Sequence, residues 1–239
     1  MKFALIGYGK MGKTIEKVAL ERGHTIVSVI DIDNKEGFAS EAFKNADVAI
    51  EFTTPGTAVD NYLQCFAAGV PVVSGTTGWL SRFDEIRQCC TEGKHTFFYA
   101  SNFSMGVNIF FALNQYLSKI MNRFPEYNVN MTEIHHIHKA DVPSGTAITL
   151  AQGIIENIDR KKRWRLADEA VLPTDLSILA IREDLTPGMH EVTYKSDTDS
   201  ITIRHNAENR RGFALGAVIA AEFTAGRQGF MGMNDMLAF

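Results

Sequence analysis

The chain has 239 residues, 45% of them hydrophobic and 22% charged, which is typical of a globular protein with one large domain or two small ones. A net charge of −4, from 24 Lys and Arg against 28 Asp and Glu, argues against a nucleic-acid binder, and the lack of a long apolar run argues against a membrane protein. An odd set of three cysteines and no leader-like first segment predict a reducing, cytoplasmic location.

The first 31 residues predict a strand, a glycine turn, a helix and a second strand. The turn GYGKMG fits the pattern G-x-G-x-x-G of dinucleotide sites, in which Gly7 makes a tight turn, Gly9 lets a pyrophosphate approach the backbone and Gly12 lets the helix pack closely. Asp31 closes the second strand, where a carboxylate can hold ribose hydroxyls. Asp33 is a rival for that role, and a glycine turn without any ligand is the alternative.

The segments up to residue 101 continue this alternation of strands and helices. The apolar runs in DVAIEFTTP, VPVVSGTTG and HTFFYAS are separated by helical patterns near 57–68 and 80–92. Such alternation favours a Rossmann-type, doubly wound parallel sheet. GTTG (75–78) and ASNF (100–103) then fall at the carboxyl ends of strands, where open sheets bind ligands, although plain turn chemistry explains them equally well.

After residue 102 the pattern changes to α+β. A helix near 104–122 precedes a strand pattern over 129–138, and another helix runs from about 145 to 158. The runs DLSILAIRE, MHEVTYKS and DSITIRHNA predict strands in antiparallel pairing. The basic run RKKRWR before them favours a solvated helix end or loop. The last helical pattern, at 212–227, is expected to return to the first domain.

The stretch HHIHKADVPSGTA (135–147) carries the densest chemistry. If the strand extends to 138, His136 and His138 share one face and His135 lies on the other. A metal centre is not predicted, because no further ligand motif is present and Lys139 would place a positive charge beside the ion. Clustered His and Lys instead predict an electropositive pocket whose side chains can donate a proton to a small anion.

The end of the same stretch predicts the start of a helix. Ser144 is a candidate N-cap, the following backbone N–H groups would face an anion, and Gly145 would let a carboxylate come close. A capped helix after a polar turn is the simpler alternative. It accounts for Pro143 and Ser144, but it does not account for three histidines and a lysine directly before them.

The motif EIHHIHKADVPSGTA resembles the hallmark of the 4-hydroxy-tetrahydrodipicolinate reductase family, also called dihydrodipicolinate reductases. VAIEFTTP, VSGTTG, ASNFSMGVN, PGMHEVTY, ITIRHNAENR and FALGAVIAAEF follow in the family's order. The resemblance implies a Rossmann domain (1–103), an α+β domain on a mixed sheet for substrate binding and tetramerisation (104–209), and a C-terminal helix returning to the first domain (210–239). It also implies a homotetramer that reduces a small cyclic dicarboxylate at C4 with NADH or NADPH, in diaminopimelate and lysine biosynthesis.

The resemblance also assigns roles by motif position. His135 and Lys139 match the acid/base pair, and the residues that match the grip on the substrate's carboxylates are His136, Ser144, Gly145 and Thr146. Gly75, Thr77, Ala100 and Phe103 match nicotinamide-side contacts. With the glycine loop and the strand ends, the predicted cofactor-binding residues are Gly7, Gly9, Lys10, Met11, Gly12, Asp31, Phe52, Thr53, Gly75, Thr76, Thr77, Ala100, Ser101, Asn102 and Phe103.

The chain departs from the family in ways that bear on the cofactor. Its glycine loop is one residue shorter than the usual GxxGRMG, with Lys10 in place of the arginine, and the segment after Asp31 is also shortened. Ile32 stands where NADPH-using members often carry an arginine, and Thr54 stands where many members carry a second arginine. Because Asp31 would repel a 2′-phosphate, the sequence predicts a preference for NADH; Lys10 and Lys35 are the nearby cations that could reverse it.

Two rival functions stay open from sequence. One is another amino-acid dehydrogenase on the same two-domain plan, such as a diaminopentanoate or diaminopimelate dehydrogenase. The other is a non-catalytic dinucleotide sensor, which would need the glycine loop and not the acid/base pair. The intact His135 and Lys139 argue against the sensor.

Overall fold

The computed structural model describes residues 1–238 and divides the chain into two compact units. The first unit joins residues 1–105 to the segment from Arg210 onward, and the second unit is Gly106–Asn209. Within the described residues, no helix has both the length and the apolar character needed to cross a membrane.

The first unit is built on a parallel sheet of six strands. In chain order these are β1 (Lys2–Ile6), β2 (Thr25–Ile30), β3 (Val48–Glu51), β4 (Val72–Ser74), β5 (Thr96–Tyr99) and β11 (Gly229–Met231). Their order across the sheet is β11-β5-β4-β3-β1-β2, so the sheet grows in both directions from its middle, as in a doubly wound fold.

Helices cover both faces of this sheet. They are α1 (Lys10–Glu21), α2 (Glu41–Lys44), α3 (Pro55–Ala67), α4 (Phe83–Glu92), α7 (Arg211–Thr224) and α8 (Met233–Leu237). Along β1, Phe3 and Leu5 belong to the core shared with α1 and α7, whereas Ala4 and Ile6 belong to the core shared with α3 and α4. Two buried faces explain why these strands read as continuous apolar runs.

The shortened segment between β2 and β3 forms two short helices. A 3-10 helix covers Lys35–Ala39 and α2 covers Glu41–Lys44. Phe38 and Phe43 are buried beneath them, with ring centroids 5.1 Å apart. The two phenylalanines therefore close the core at this edge without a full-length helix.

The second unit packs two helices on a mixed sheet of five strands. The helices are α5 (Met105–Met121) and α6 (Gly145–Ile155), and the strands are β6 (Asn128–His135), β7 (Arg163–Leu166), β8 (Asp175–Arg182), β9 (Met189–Lys195) and β10 (Ser200–Asn206). The sheet order is β10-β9-β6-β8-β7. The predicted fold class, a Rossmann-type α/β unit with a second α+β unit on a mixed sheet, is confirmed.

Three expectations about the second unit are wrong in detail. The strand expected over 129–138 ends at His135, so His136 and His138 lie in a turn and not on one strand face. The run DLSILAIRE pairs in parallel with both of its neighbours, and antiparallel pairing is confined to β9 with β6 and β10. The basic run is not a solvated loop throughout, because residues 163–166 form β7.

Candidate active site

The glycine loop is built so tightly that side chains would not fit. Gly7 has φ +88°, and a Cβ there would lie 2.1 Å from the carbonyl oxygen of Phe52. A Cβ on Gly12 would lie 2.2 Å from the carbonyl oxygen of Gly7. Gly9 precedes α1 without a side-chain cap, so the first N–H groups of α1 are left for an anion. The loop therefore has the form of a phosphate cradle.

Three adjoining cavities form a groove along the carboxyl ends of the strands. The first, of about 340 Å³, holds Asp31 and Ile32 beside Gly7 and Gly9. The second, of about 270 Å³, continues from Gly9. It is lined by Lys10, Met11, Gly12, Phe52, Thr53, Gly75, Thr76 and Thr77, among others. The third, of about 300 Å³, is lined in part by Met11, Phe52, Gly75, Ser101, Asn102, Phe103 and Arg210.

Every predicted cofactor residue except one lies on these walls. Ala100 is instead buried in the core, with its N–H bonded to the carbonyl oxygen of Ser74 at 3.3 Å. Asp31 lies at the end of the groove, and one of its carboxylate oxygens accepts a hydrogen bond of 3.1 Å from the N–H of Tyr8. Asp33, the rival for the ribose role, is not among the residues that line the groove.

A buried carboxylate that the sequence did not flag supports two of these walls. Glu51 ends β3 and is fully buried. Its oxygens accept hydrogen bonds from the hydroxyls of Thr53, Ser74 (2.6 Å) and Thr76 (2.9 Å). Burial raises the pKa of the Glu51 carboxyl, and the three hydroxyls lower it by less. Glu51 thus ties the ends of β3 and β4 together beneath the groove.

The second unit gathers a buried polar cluster around the end of β6. Glu133 and His135 lie two residues apart on the same strand face, and His190 of β9 lies beside them. Nδ1 of His135 is 2.9 Å from Oε2 of Glu133, and the ring centroids of His135 and His190 are 5.0 Å apart. Burial, and next the neighbouring His135, lower the pKa of His190 to about 3, so this imidazole is neutral.

Ser144 joins this cluster to the start of α6. Its hydroxyl accepts a hydrogen bond of 3.2 Å from the N–H of Ala147, which makes it the N-cap that the sequence predicts. The same hydroxyl is 3.0 Å from Nε2 of His190. Gly145 is exposed, Thr146 is half-buried, and a Cβ on Gly145 would meet nothing within 4 Å. A side chain at Gly145 would therefore meet open space, and the backbone N–H of Gly145 donates a hydrogen bond to the carboxylate of Asp141.

Lys139 and His136 lie in the turn that follows β6. Nζ of Lys139 donates hydrogen bonds of 2.8 and 2.9 Å to the carboxylate of Asp141. This contact lowers the pKa of Asp141, so the turn carries a salt bridge with the lysine side chain 24% exposed. His136 is half-buried, and its ring centroid is 6.3 Å from that of His138.

Comparison with known proteins matches this chain along its length. Residues 1–103 match the family model described as dihydrodipicolinate reductase, N-terminus, and residues 106–237 match the model of the C-terminus. The chain belongs to the dihydrodipicolinate reductase family. The predicted resemblance and the predicted oxidoreductase class are thereby confirmed. The N-terminal part of this family binds a pyridine nucleotide, so the general prediction of NADH or NADPH is confirmed as well.

Individual members of the family are similar over whole chains. The 4-hydroxy-tetrahydrodipicolinate reductase of Christiangramia forsetii is 48% identical over 240 residues, covering 100% of this chain and 98% of that protein. The enzyme of the same name from Methanoculleus marisnigri is 33% identical over 244 residues, with 96% and 95% covered. A dipicolinate-bound dihydrodipicolinate reductase from Paenisporosarcina sp. TG-14 has the same fold, with a TM-score of 0.78, 20% identity and 98% of each chain covered.

Sequence reasoning missed residues that other strands bring to the buried cluster around β6. Arg182 of β8 donates a hydrogen bond of 3.1 Å to Glu133, and His190 was given no assigned role. One signal for Glu133 was available, since residues two apart on a strand share a face. Glu133, His135 and His190 place ligand-type atoms within 4.8 Å of one another, a geometry that could hold a metal; the prediction of no metal stays a prediction.

Proposed function

We propose that this chain catalyses the NAD(P)H-dependent reduction of 4-hydroxy-tetrahydrodipicolinate to tetrahydrodipicolinate. The observation that carries the proposal is the match to both family models together with 48% identity to a reductase of that name over the whole chain. The overall reaction consumes one proton and releases one water. The product belongs to diaminopimelate and lysine biosynthesis.

The groove of the first unit supports a role in cofactor binding. Gly7, Gly9 and Gly12 would let the pyrophosphate approach the start of α1, and Asp31 would accept hydrogen bonds from the adenosine ribose. Phe52, Gly75 and Phe103 would line the nicotinamide end. When bound, the reduced nicotinamide supplies a hydride to C4 of the substrate.

The polar cluster of the second unit supports a role in substrate binding and proton transfer. His136 and the turn of Ser144, Gly145 and Thr146 would hold the two carboxylates of the substrate. His135 and Lys139 would supply the proton that C3 takes up after hydride transfer. Lys139 suits both tasks, because its ammonium group attracts a dianion and can donate a proton.

The finer choice of cofactor is NADH ahead of NADPH. Asp31 stands at the ribose end of the groove, and Ile32 beside it is 76% exposed and carries no charge. Lys35 lines the same cavity, and it is the cation there that could offset Asp31. We place the enzyme in the cytoplasm as a homotetramer; the three free cysteines support a reducing compartment.

The test is consumption of NADH and, separately, NADPH, with substrate generated in place from pyruvate and aspartate semialdehyde by a synthase. We expect turnover with both dinucleotides and a higher kcat/KM for NADH. Faster turnover with NADPH would keep the reductase and refute the cofactor preference. No turnover with either would favour a dehydrogenase of another substrate or a dinucleotide sensor.

The variant Lys139→Ala separates an enzyme from a sensor. We expect it to bind NADH normally by fluorescence titration and to lose about 100-fold or more in kcat, as expected for a lost proton donor. Lys195→Ala, at an exposed lysine that ends β9 of the same unit, is the matched control and should keep wild-type turnover. Normal turnover in Lys139→Ala would contradict its proposed role.

A further inference from the structure

Glu133 lies at the centre of the buried cluster in the second unit. Its Oε1 accepts hydrogen bonds of 3.1 Å from the N–H of Ser144 and 3.1 Å from the guanidinium of Arg182. Its Oε2 lies 2.9 Å from Nδ1 of His135 and 3.8 Å from Nε2 of His190. One carboxylate therefore contacts the proposed proton donor, the proposed carboxylate turn and a fixed positive charge.

The contact between Glu133 and His135 joins Oε2 of the carboxylate to Nδ1 of the imidazole. The two atoms lie 2.9 Å apart, within hydrogen-bonding distance, and among the described residues neither Nδ1 of His135 nor Oε2 of Glu133 has another hydrogen-bond partner. Both atoms are buried, and a buried polar atom left without a partner destabilises the fold. At this distance the two buried atoms serve as each other's partner.

The charge on Glu133 decides which atom of the pair carries the hydrogen. Burial alone would raise the pKa of the Glu133 carboxyl. Hydrogen bonds from His135, Ser144 and Arg182 outweigh that effect and lower the pKa to about 2. An ionised carboxylate can only accept hydrogen bonds. The hydrogen must then sit on Nδ1 of His135, which leaves Nε2 for another partner.

Gly188 lies against the other side of the His135 ring, at Nε2. Gly188 has φ +155°, and a Cβ on it would lie 2.9 Å from Nε2 of His135. The glycine leaves Nε2 free of a side chain at the atom that would meet a substrate.

We propose that Glu133 is a positioning residue for His135. It holds the imidazole as the tautomer with hydrogen on Nδ1 and stabilises the protonated ring. In the reaction, the Nε2–H bond breaks as the proton passes to C3 of the substrate, and the neutral ring regains a proton from solvent. This inference rests on the proposed function only in giving His135 the proton-donor role.

Other charged groups around His135 do not replace Glu133. His190 is neutral and buried, Arg182 is positive, and Asp141 is paired with Lys139. His205 of β10 acts on the cluster through His190, whose pKa it lowers slightly. Of the carboxylates named here, Glu133 is the one in contact with the imidazole.

The first test is the pH dependence of kcat and KM for Glu133→Gln in the full chain. Without the anion the protonated His135 is less stable, so we expect the alkaline loss of kcat to begin about one pH unit lower, with kcat reduced about tenfold or more and KM changed less. A merely structural role would lower activity at every pH without moving the alkaline limb, and that result would overturn the proposal.

Asp175→Asn is the matched control. Asp175 is another buried carboxylate of the second unit, 2.9 Å from Arg163, and it lies outside the proposed site. We expect Asp175→Asn to keep the alkaline limb of the wild-type profile even where it lowers stability. A shift as large as that of Glu133→Gln would count against a specific role for Glu133.

The second test reads the tautomer directly by nitrogen-15 NMR of the histidine rings, at a pH where they are neutral. The His135 signals are assigned from their loss in His135→Gln. We expect hydrogen on Nδ1 in the wild type and a mixture of tautomers in Glu133→Gln. Hydrogen on Nε2 in the wild type would overturn the proposal even if Glu133→Gln failed to fold.

The two readouts separate this inference from the proposed function. If His135→Gln keeps wild-type turnover, His135 is not the proton donor, while the NMR measurement still tests whether Glu133 fixes its tautomer. If His135→Gln is inactive and the tautomer does not depend on Glu133, the inference about Glu133 fails and the proposed reductase stands.

Discussion

Single residues decide how the groove discriminates between dinucleotides. The carboxylate of Asp31 is held in place by N–H groups, with Oδ2 3.1 Å from Tyr8 and Oδ1 2.9 Å from Ile32. A fixed carboxylate at the ribose end would accept hydrogen bonds from two hydroxyls and would repel a 2′-phosphate. Selectivity should therefore respond to charge at positions 31 and 32.

The variant Ile32→Arg tests this explanation. A guanidinium beside Asp31 would offset its charge and bind a 2′-phosphate, so we expect KM for NADPH to fall about tenfold, or ~1.4 kcal/mol, with KM for NADH nearly unchanged. Leu20→Arg adds the same charge at an exposed position of α1 that does not line the groove. An equal gain in both variants would show a general charge effect and refute the local one.

The buried Glu51 links the groove to pH-dependent stability. Its carboxyl has a raised pKa in the folded protein, mainly because burial disfavours the charge. Between the usual carboxyl value of 4.5 and the raised value, the folded state binds more protons than the unfolded state. The free energy of unfolding therefore falls as the pH rises through that range.

Glu51→Gln should remove this fall. We follow urea unfolding by circular dichroism. As the pH rises above about 4.5, we expect the urea midpoint of Glu51→Gln to increase relative to that of the wild type, because an amide is neutral at every pH. Glu36→Gln, which changes an exposed carboxylate of the same unit, should show no such trend. A difference between Glu51→Gln and wild type that does not vary with pH would refute the prediction.

Sequence could find the residues whose role has a local cause. Glycine is required at positions 7 and 12 by backbone contacts within a few residues and with the end of one neighbouring strand. The spacing of the glycines along the chain is therefore enough to predict the turn. Glu51 and Glu133 escaped notice because their partners, such as Ser74 and Arg182, lie 23 and 49 positions away along the chain. Only the strand pairing brings such partners together.

At the scale of elements, α7 packs closely against the loop that follows β5, because Gly216 has no side chain at the contact. A Cβ on Gly216 would lie 1.7 Å from the carbonyl oxygen of Phe103, so the helix and the 100–103 loop are in direct backbone contact. Phe103 lines the groove. The position of α7 therefore sets the position of a groove wall.

The variant Gly216→Ala should displace either α7 or the 100–103 loop. We expect a loss of about 3 kcal/mol in the free energy of unfolding, and a higher KM for NADH in whatever protein folds. Gly212→Ala is in the first turn of the same helix, where a Cβ meets nothing within 4 Å, and should be neutral or stabilising by up to ~1 kcal/mol. Equal stability of the two variants would contradict the close contact.

The elements that sequence missed have physical reasons for being missed. β7 reads as a basic run, yet Trp164 and Leu166 alternate with arginines, and Arg163 is paired with the buried Asp175. Lys161 before it is buried as well, with Nζ donating to the carbonyl oxygens of Pro173 (2.9 Å) and Asp175 (2.7 Å). Partners from β8 and from the residues just before it made these charges tolerable, and a charge count could not show them.

At the scale of the whole molecule, the mixed sheet has two unlike faces. One face is buried against α5 and α6, and the opposite face carries Leu179. Leu179 on that second face is 47% exposed and pairs in register with Thr132 of β6. The proposed homotetramer would use this face. Burial against a second copy would cover this exposed apolar side chain, whose row across the sheet continues through Thr132 to Glu191 and Arg204.

Leu179→Glu tests the assembly. A charge in the proposed interface would be buried without a partner, so we expect light scattering to report a mass near four chains for the wild type and a smaller species for the variant. Leu185→Glu, in a loop outside the sheet and 78% exposed, should leave the mass unchanged. A monomeric wild type would refute the tetramer itself.

The return of the C-terminal segment has a consequence for biosynthesis of the protein. β11 completes the edge of the parallel sheet beside β5, and Glu222 of α7 binds Arg22 at 2.8 Å and His24 at 2.6 Å. The first unit to emerge from a ribosome is therefore the last one that can be finished, because about 100 residues of the second unit are translated before α7 exists. Until then the apolar surface that α7 covers on β3, β4 and β5 stays exposed to water, and exposed surface of this kind is what makes a nascent chain prone to aggregation.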